Sequence, residues 1–266
     1  MSMMDRHVAV AGGGAGIGEA LCRSFIRQGA QVLVVDKLDA KSLEFGFRPL
    51  EEADAGQLRY RQCDITRSEQ VRELAQSVED FFDGKIDVFI NCVGINMRRS
   101  LLELEEEDWD RVMDTNVKGS FLLASAVAPM MKPGGAMVFL SGASALQPGK
   151  VDASYALSKM TLNRLVTLLA AEVAGRGIRL NAVCPGPIMS DRVMDERLID
   201  PITSEHRTAE EVSEEILSEM PLARFHQIIP PVESVVDAVN FLISDEARFI
   251  TGAVLPVDGG KSLSGF

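Results

Sequence analysis

Residues 7–36 read HVAVAGGGAGIGEALCRSFIRQGAQVLVVD, and this stretch decides the fold. A short β-branched run at 7–11 leads into a glycine-rich turn at 12–18, and a helical pattern of apolar residues follows. A second apolar run, 31–35, ends in Asp36. Glycines let the backbone turn tightly and approach a pyrophosphate, which lies at the N-terminus of the following helix. The order strand, glycine turn, helix, strand therefore predicts a parallel sheet that binds a dinucleotide.

The rest of the chain continues this alternation. Further strands are predicted at 57–63, 86–90, 137–140, 179–184 and 253–257, with helical patterns between them. Such alternation indicates an α/β fold with a doubly wound parallel sheet, whose ligands lie beyond the carboxyl ends of the strands. We find no repeat or interdomain linker, so residues 1–266 are predicted to form a single domain. Residues 187–225, mostly polar and weakly patterned, are expected to form a small helical lid over the substrate.

Composition argues against several classes of function. The 266 residues carry a formal net charge of −12 and no cluster of basic residues, which speaks against nucleic acid as a partner. Apolar runs are far shorter than a membrane span, and the first residues lack a signal-peptide segment. The four scattered cysteines suit a reducing cytoplasm, and the three histidines show no ligand spacing. We therefore expect a cytoplasmic protein without a membrane partner or a catalytic metal.

Tyr155 and Lys159 carry the predicted chemistry. They begin a run of apolar-periodic residues that indicates a helix, and positions four apart lie on one helix face. A cation beside a phenol favours the phenolate and lowers the pKa of the tyrosine, which can then exchange a proton with a substrate oxygen. A solvated Tyr–Lys pair has the same spacing, so the assignment depends on the rest of the chain.

The sequence resembles the short-chain dehydrogenase/reductases over essentially its whole length. The matching residues, in chain order, are Gly12, Gly16, Gly18, Asp36, Asp64, Ile65, the run 91–94, Asn116, Tyr155, Lys159, Asn181, Pro185, Gly186 and the run 257–260. The resemblance implies a Rossmann-like sheet of seven strands, a nicotinamide cofactor and a homotetramer. Within the family, the closest similarity is to the sugar-acid branch, such as gluconate-type dehydrogenases.

The resemblance also implies a role for each residue. Tyr155 is expected as the acid/base, and Lys159 as its activator and as the residue that holds the nicotinamide ribose, so both also belong to the cofactor site. Asn116 is expected to bend its helix and to hold a water of a proton relay. Asp36 would bind the adenosine ribose and favour NAD over NADP, although Lys37 could soften that preference. The other cofactor-binding residues implied are Gly12, Gly16, Ile17 and Gly18 at the pyrophosphate, Asp64 and Ile65 at the adenine, Asn91 and Gly94 in the channel, and Pro185, Ile188 and Ser190 towards the carboxamide.

The sequence departs from the family pattern at the catalytic serine. The family places this serine thirteen residues before the tyrosine, and Gly142 stands there in this chain. A one-residue loop insertion would restore the role to Ser141, and Ser144 is the alternative. Both hydroxyls could also merely hydrogen-bond loop backbone. We prefer Ser141 because it ends the predicted fifth strand.

Substrate identity is the least determined property. Arg98 and Arg99 follow the fourth strand, and a guanidinium fork suits an anionic substrate group, although both could be solvated and paired with Glu103 or Glu105. Lid residues Arg192, Arg197, His206 and Arg207 could face substrate or solvent. We predict an NAD-dependent oxidoreductase that acts on a secondary alcohol or ketone of the sugar, sugar-acid or polyol class. The alternatives are a 3-oxoacyl-thioester reductase, which usually takes NADPH, and a non-catalytic NAD-sensing protein.

Overall fold

The seven predicted strands pair into one parallel sheet in a computed structural model that describes residues 3–39, 56–149, 151–189, 197–199, 203 and 205–263. The strand order is β3-β2-β1-β4-β5-β6-β7. The strands are β1 (His7–Ala11), β2 (Gln31–Asp36), β3 (Leu58–Gln62), β4 (Ile86–Asn91), β5 (Met131–Leu140), β6 (Arg179–Pro185) and β7 (Val254–Val257). The doubly wound α/β fold predicted from the sequence is thus confirmed.

Helices cover both faces of the sheet. They are α1 (Gly16–Arg27), α2 (Ser68–Phe82), α3 (Glu106–Met113), α4 (Ser120–Val127), α5 (Ala153–Ala174), α6 (Ala209–Glu219), α7 (Pro221–His226) and α8 (Glu233–Ile243). Short 3₁₀ turns lie at Ala128–Met130, Ala143–Ala145, Asp245–Ala247 and Lys261–Leu263. Among the described residues, no helix has the length and apolar character that crossing a membrane requires.

The sheet has a hydrophobic core on each of its two faces, because successive side chains of a strand point to opposite faces. Along β1, Ala9 and Ala11 join the cluster beneath α2, α4 and α5, whereas Val8 and Val10 join the cluster beneath α1 and α8. Burial on both faces explains why these strands read as nearly continuous apolar runs. The buried layers on each side hold the carboxyl ends of the strands in fixed positions.

Two predicted elements differ from the observed ones. The helix expected from Glu103 to about Ala128 begins at Glu106, and a π-helical segment, Asp114–Gly119, separates α3 from α4. Strand β5 begins at Met131, before the predicted Met137, because Met131 pairs with Ile86 although Pro133 and the glycines after it weaken the strand pattern.

The lid is described only in part, since residues 190–196, 200–202 and 204 lie outside the described residues. Its described portion contains the predicted helix α6 and a second helix, α7, that the sequence pattern did not predict. Val212, Ile216 and Met220 pack together as a small apolar cluster of their own. Arg197 and Arg207 pair with Glu215, so two of the lid arginines bind the lid's own carboxylates.

The strand order reverses between β1 and β4. β1 pairs with β2 on one side and with β4 on the other, so the connections that leave β1 and β4 run to opposite faces. A crevice opens at such a point beyond the carboxyl ends of the strands, where doubly wound sheets bind ligands. The predicted site residues are therefore expected at this edge of the sheet.

Candidate active site

The glycine turn has the geometry of a pyrophosphate cradle. Gly12 has a φ of +74°, and a Cβ atom there would lie 2.9 Å from the backbone nitrogen of Val93. A Cβ atom on Gly18 would lie 2.0 Å from the carbonyl oxygen of Gly12, so the turn closes only with glycine at this position. α1 begins at Gly16, and no side chain caps its first turn. Its N–H groups and dipole therefore suit a phosphate, as predicted.

Asp36 lies at the end of β2 and points into the glycine turn. Its Oδ2 accepts a hydrogen bond of 2.9 Å from the backbone N–H of Gly14, and its Oδ1 accepts one of 3.1 Å from Leu38. The hydroxyl of Tyr60 donates to the carbonyl oxygens of Asp36 and Leu38. Burial and then the charge of Asp36 raise the pKa of Tyr60 to about 12, so this phenol stays a donor. These bonds hold the carboxylate beside the predicted ribose position.

Asp64 and Ile65 follow β3 at the same edge of the sheet. Burial opposes ionisation of Asp64, but hydrogen bonds from the side chain and backbone of Thr66 outweigh it and lower the pKa of the carboxyl. Ile65 is buried against Gly119, where a Cβ atom would lie 2.6 Å from its Cδ1. The pair thus forms a firm wall at the place expected for the adenine.

Two buried asparagines shape the loop after β4. Asn91 donates to the hydroxyl of Ser120 at 2.9 Å and accepts from the N–H of Val93 at 3.1 Å. Asn116, fully buried in the π-helical segment, binds Ile95 twice through the backbone and donates to Ser158, with all three bonds at 2.9 Å. Both side chains therefore position the loop. The predicted water relay through Asn116 stays a prediction.

Tyr155 and Lys159 lie on α5, which begins just past the 3₁₀ turn that follows β5. Lys159 is 2% exposed, and its ammonium donates to the carbonyl oxygen of Leu140 at 2.8 Å. The same ammonium lies 5.6 Å from the centre of the Tyr155 ring. Gly94 lies opposite, where a Cβ atom would lie 2.8 Å from the ammonium nitrogen. The cation and the phenol thus share one face of the helix at the crevice, the arrangement that proton transfer at Tyr155 requires.

The far wall of the crevice joins the ends of β6 and β7. The N–H of Gly186 donates to the carbonyl of Val257 at 3.0 Å, and Asp258 accepts from the N–H groups of Gly260 and Ser262. Pro185 ends β6 and Ile188 is buried against the sheet. Ser190 lies outside the described residues, so its predicted contact stays a prediction.

Comparison with known proteins assigns this geometry to a family. The sequence model of the family described as enoyl-(acyl carrier protein) reductase matches residues 11–262 of this chain. This chain belongs to the short-chain dehydrogenase/reductase family. It is therefore an oxidoreductase of a family that uses NAD(P), and no more specific activity follows from the match.

Individual relatives are similar along their whole length. The 2-(S)-hydroxypropyl-CoM dehydrogenase 3 of Xanthobacter autotrophicus is 34% identical over 262 residues, which are 98% of this chain and 98% of that protein. The 3-oxoacyl-(acyl-carrier-protein) reductase FabG of Thermotoga maritima is 32% identical over 262 residues, 98% of this chain and 99% of that protein. A solved short-chain type dehydrogenase/reductase from Mycobacterium ulcerans superimposes with a TM-score of 0.86 at 29% identity, covering 99% of this chain and 92% of that one.

In this short-chain dehydrogenase/reductase, Gly142 is the residue that faces the Tyr155 hydroxyl. A Cβ atom at position 142 would lie 2.9 Å from that oxygen. Ser141 is buried and donates to the carbonyl oxygen of Lys159 at 3.2 Å, and Ser144 donates to Asp152 at 2.6 Å. Both hydroxyl protons are thus directed to protein acceptors. The assignment of Ser141, or alternatively Ser144, as the catalytic serine stays a prediction.

The two arginines lie in the loop that leaves β4. The guanidinium of Arg99 is half-exposed, with its Nε 3.9 Å from Asp108 Oδ2, so its carboxylate partner differs from the Glu103 or Glu105 considered from the sequence. Arg99 also forms a backbone bridge to Asp152, beside the start of α5. This bridge brings the arginine loop next to the helix that carries Tyr155. Substrate binding by Arg98 and Arg99 stays a prediction.

The cysteine thiols are largely buried and unreactive. All four cysteines are free, and burial raises the pKa of each thiol, to about 12 for Cys92 and to about 11 for Cys63. Thiols of this kind are poor nucleophiles. Within the described ranges, no group of three or more His, Cys, Asp or Glu residues could hold a metal ion.

Gly94→Ala tests the tight fit over the ammonium. The added methyl group must displace Lys159 from Leu140, so we expect NADH to bind about tenfold more weakly, the loss typical of one hydrogen bond to a charged group. Isothermal titration calorimetry measures this affinity. Gly56→Ala is the matched control, because a Cβ atom there meets no atom within 4 Å. Equal affinities in both variants would contradict the close approach.

Proposed function

We propose that this chain is an NAD-dependent dehydrogenase that acts on a secondary alcohol, or on its ketone in reverse, of the sugar, sugar-acid or polyol class. The observation that carries the proposal is the pairing of Tyr155 with the buried ammonium of Lys159 at the crevice beside the glycine turn. The cradle at Gly12 and Gly18 fits a dinucleotide pyrophosphate, because any larger residue would fill it. The free thiols also support a cytoplasmic location.

In the proposed reaction, the cofactor takes part in hydride transfer and the protein takes part in proton transfer. When bound, the nicotinamide supplies the two-electron hydride chemistry. Tyr155 accepts the hydroxyl proton of the alcohol as the carbon-bound hydrogen leaves with its electron pair. The charge of Lys159 stabilises the phenolate that makes this transfer favourable, and Leu140 fixes the ammonium in place. In this proposal Ser141, or alternatively Ser144, is the serine that binds the reacting oxygen. Ser141 also bonds the backbone carbonyl of Lys159 on the same helix.

Asp36 is the basis for the proposed preference for NAD. A carboxylate at the end of the second strand accepts hydrogen bonds from the ribose hydroxyls and repels a 2′-phosphate. Its bonds to Gly14 and Leu38 hold the carboxylate at the glycine turn, which supports this proposal. A 3-oxoacyl-thioester reductase is the second candidate, because relatives with that name are about a third identical. Asp36 speaks against it, since those reductases usually take NADPH.

An exposed groove between the π-helical segment and α5 supports the proposed assembly of copies. It encloses about 500 Å³ and is lined largely by apolar side chains, with Phe121 48% and Leu168 53% exposed. Asp114, which pairs with Lys118 at 3.3 Å, and Arg164 carry opposite charges on this surface. A patch that has apolar side chains and both charges can pair with its own copy about a two-fold axis. We propose that a second copy covers it within the expected homotetramer.

Tyr155→Phe tests the acid/base. Loss of the phenolic proton acceptor should lower kcat by about 10²- to 10⁴-fold while the affinity for NADH stays nearly unchanged. Absorbance of reduced nicotinamide reports turnover, screened first over sugars, sugar acids, polyols and hydroxy acids. Tyr60→Phe is the matched control, because that hydroxyl bonds the carbonyls of Asp36 and Leu38 and should affect only cofactor binding. A Tyr155→Phe enzyme with full activity would refute the mechanism.

Asp36→Asn tests the cofactor preference. The amide lacks the charge that repels a 2′-phosphate, so the ratio of kcat/KM for NAD to that for NADP should fall about 10- to 100-fold. Steady-state kinetics with both cofactors measure the ratio. Asp39→Asn, a neighbouring carboxylate change, should leave it unaltered. A wild-type enzyme that already prefers NADP would overturn the proposed preference.

Phe121→Glu tests the proposed assembly. A charge at the centre of the groove should convert the assembly to smaller species, because desolvating it between two copies is costly. Light scattering after size-exclusion chromatography gives the mass of each species. Leu102→Glu is the control, since this side chain is 98% exposed and lies outside the groove. A wild-type monomer at micromolar concentration would contradict the proposal.

A further inference from the structure

A carboxylate next to Tyr155 has one oxygen that no protein group satisfies. Ser144 donates its proton to Oδ2 of Asp152 at 2.6 Å. The other oxygen, Oδ1, is buried and has no hydrogen-bond partner among the described residues. Buried polar atoms in native proteins are almost always paired, so an unpaired one requires an explanation. The nearest explanation is a hydrogen-bond donor that arrives with a ligand.

The position of Asp152 in the chain makes its orientation unusual. It directly precedes α5, and aspartate is among the residues preferred as a helix N-cap. Its carboxylate nevertheless makes no capping hydrogen bond to that helix. The side chain is turned to Ser144 instead, which costs the helix its usual cap.

Gly149 lies beside the unpaired oxygen. A Cβ atom at position 149 would lie 2.7 Å from Asp152 Oδ1, so a larger residue there would press against the carboxylate. Ser144 lies two residues after Gly142, the residue that faces the Tyr155 hydroxyl. Arg99 forms its backbone bridge to Asp152 from the other side. The Ser144–Asp152 pair thus connects the turn that faces Tyr155 with the arginine loop.

We propose that Asp152, oriented by Ser144, accepts a hydrogen bond from a substrate hydroxyl next to the reacting carbon. The pair offers only lone pairs, because the proton of Ser144 is already donated to Asp152 and an ionised carboxylate only accepts. A substrate with a vicinal hydroxyl provides the missing donor, whereas a thioester oxygen provides none. The site is therefore specific for vicinal diols, which include polyols and sugar acids. This inference rests on the proposed function and narrows its substrate class.

Two substrate pairs that differ by one hydroxyl test the inference. The first pair is 2,3-butanediol and 2-butanol. The second pair is 2,3-dihydroxybutanoate and 3-hydroxybutanoate. Both members of the second pair carry a carboxylate that the arginines of the loop after β4 could bind. We expect kcat/KM for the diol to exceed that of its partner by about 10- to 100-fold in at least one pair, the size of one hydrogen bond to a charged group. Calorimetric binding to the enzyme–NADH complex should show the same preference.

Asp152→Asn should remove most of the diol preference in both measurements, because an amide oxygen binds a hydroxyl more weakly than a charged carboxylate does. The melting temperature should not change, because the Asp152 side chain makes no capping hydrogen bond and asparagine has nearly the same size. Ser144→Ala should weaken the preference, and Ser144→Thr, which keeps the hydroxyl, should restore it. Asp80→Asn is the remote control, since Asp80 accepts a hydrogen bond of 2.7 Å from Gln76 on the exposed face of α2.

The outcomes separate the two proposals. Turnover without a diol preference, or an equal loss for diol and mono-alcohol in Asp152→Asn, overturns the acceptor role and leaves the dehydrogenase proposal standing. If no alcohol is oxidised, the dehydrogenase proposal fails. The binding measurement then decides the acceptor role by itself, since a diol that binds no better than its mono-alcohol partner refutes it.

Discussion

The buried ammonium of Lys159 is the constraint around which the active site is built. A charge that is 2% exposed is costly unless polar groups surround it. The ammonium of Lys159 donates a hydrogen bond to the carbonyl oxygen of Leu140, the last residue of β5. Gly94 must be a glycine for the ammonium to fit there, since a Cβ atom would lie 2.8 Å away. The end of β5, the loop after β4 and helix α5 are thus held in one arrangement by a single cation.

The π-helical segment supports the same arrangement from the other side. Its extra residue per turn projects Asn116 towards the loop after β4, where it binds both backbone groups of Ile95. Ser120 satisfies the carbonyl of Asn116 at 2.8 Å, a bond that compensates for the disturbed helical pattern. Such segments are rare in helices and are frequent at functional sites. The irregular helix therefore keeps Gly94 over Lys159.

Local patterns predicted those parts of the molecule that depend on neighbours in sequence. Alternating strands and helices identified the sheet, and the glycine turn identified the cradle, because both follow from backbone geometry over a few residues. The spacing of Tyr155 and Lys159 placed them on one face for the same reason. The predicted start of β5 at residue 137 was wrong, since Met131 joins the sheet through its pairing with Ile86, which is distant in sequence. The helix α7 was missed because its Pro221 start carries no long apolar pattern.

Sequence by itself determined the fold class and the family, and it predicted the side chains that would move a proton. Tertiary structure alone decided what each polar group contacts, because hydrogen bonds join residues far apart in the chain. It directed Ser141 to the carbonyl of Lys159 and Ser144 to Asp152, and it placed Gly142 against the phenol of Tyr155. The spacing of residues in the sequence does not show which acceptor a hydroxyl group binds, or which carboxylate oxygen has no hydrogen-bond partner. Packing across the sheet sets these contacts, because it brings residues from different strands and loops together.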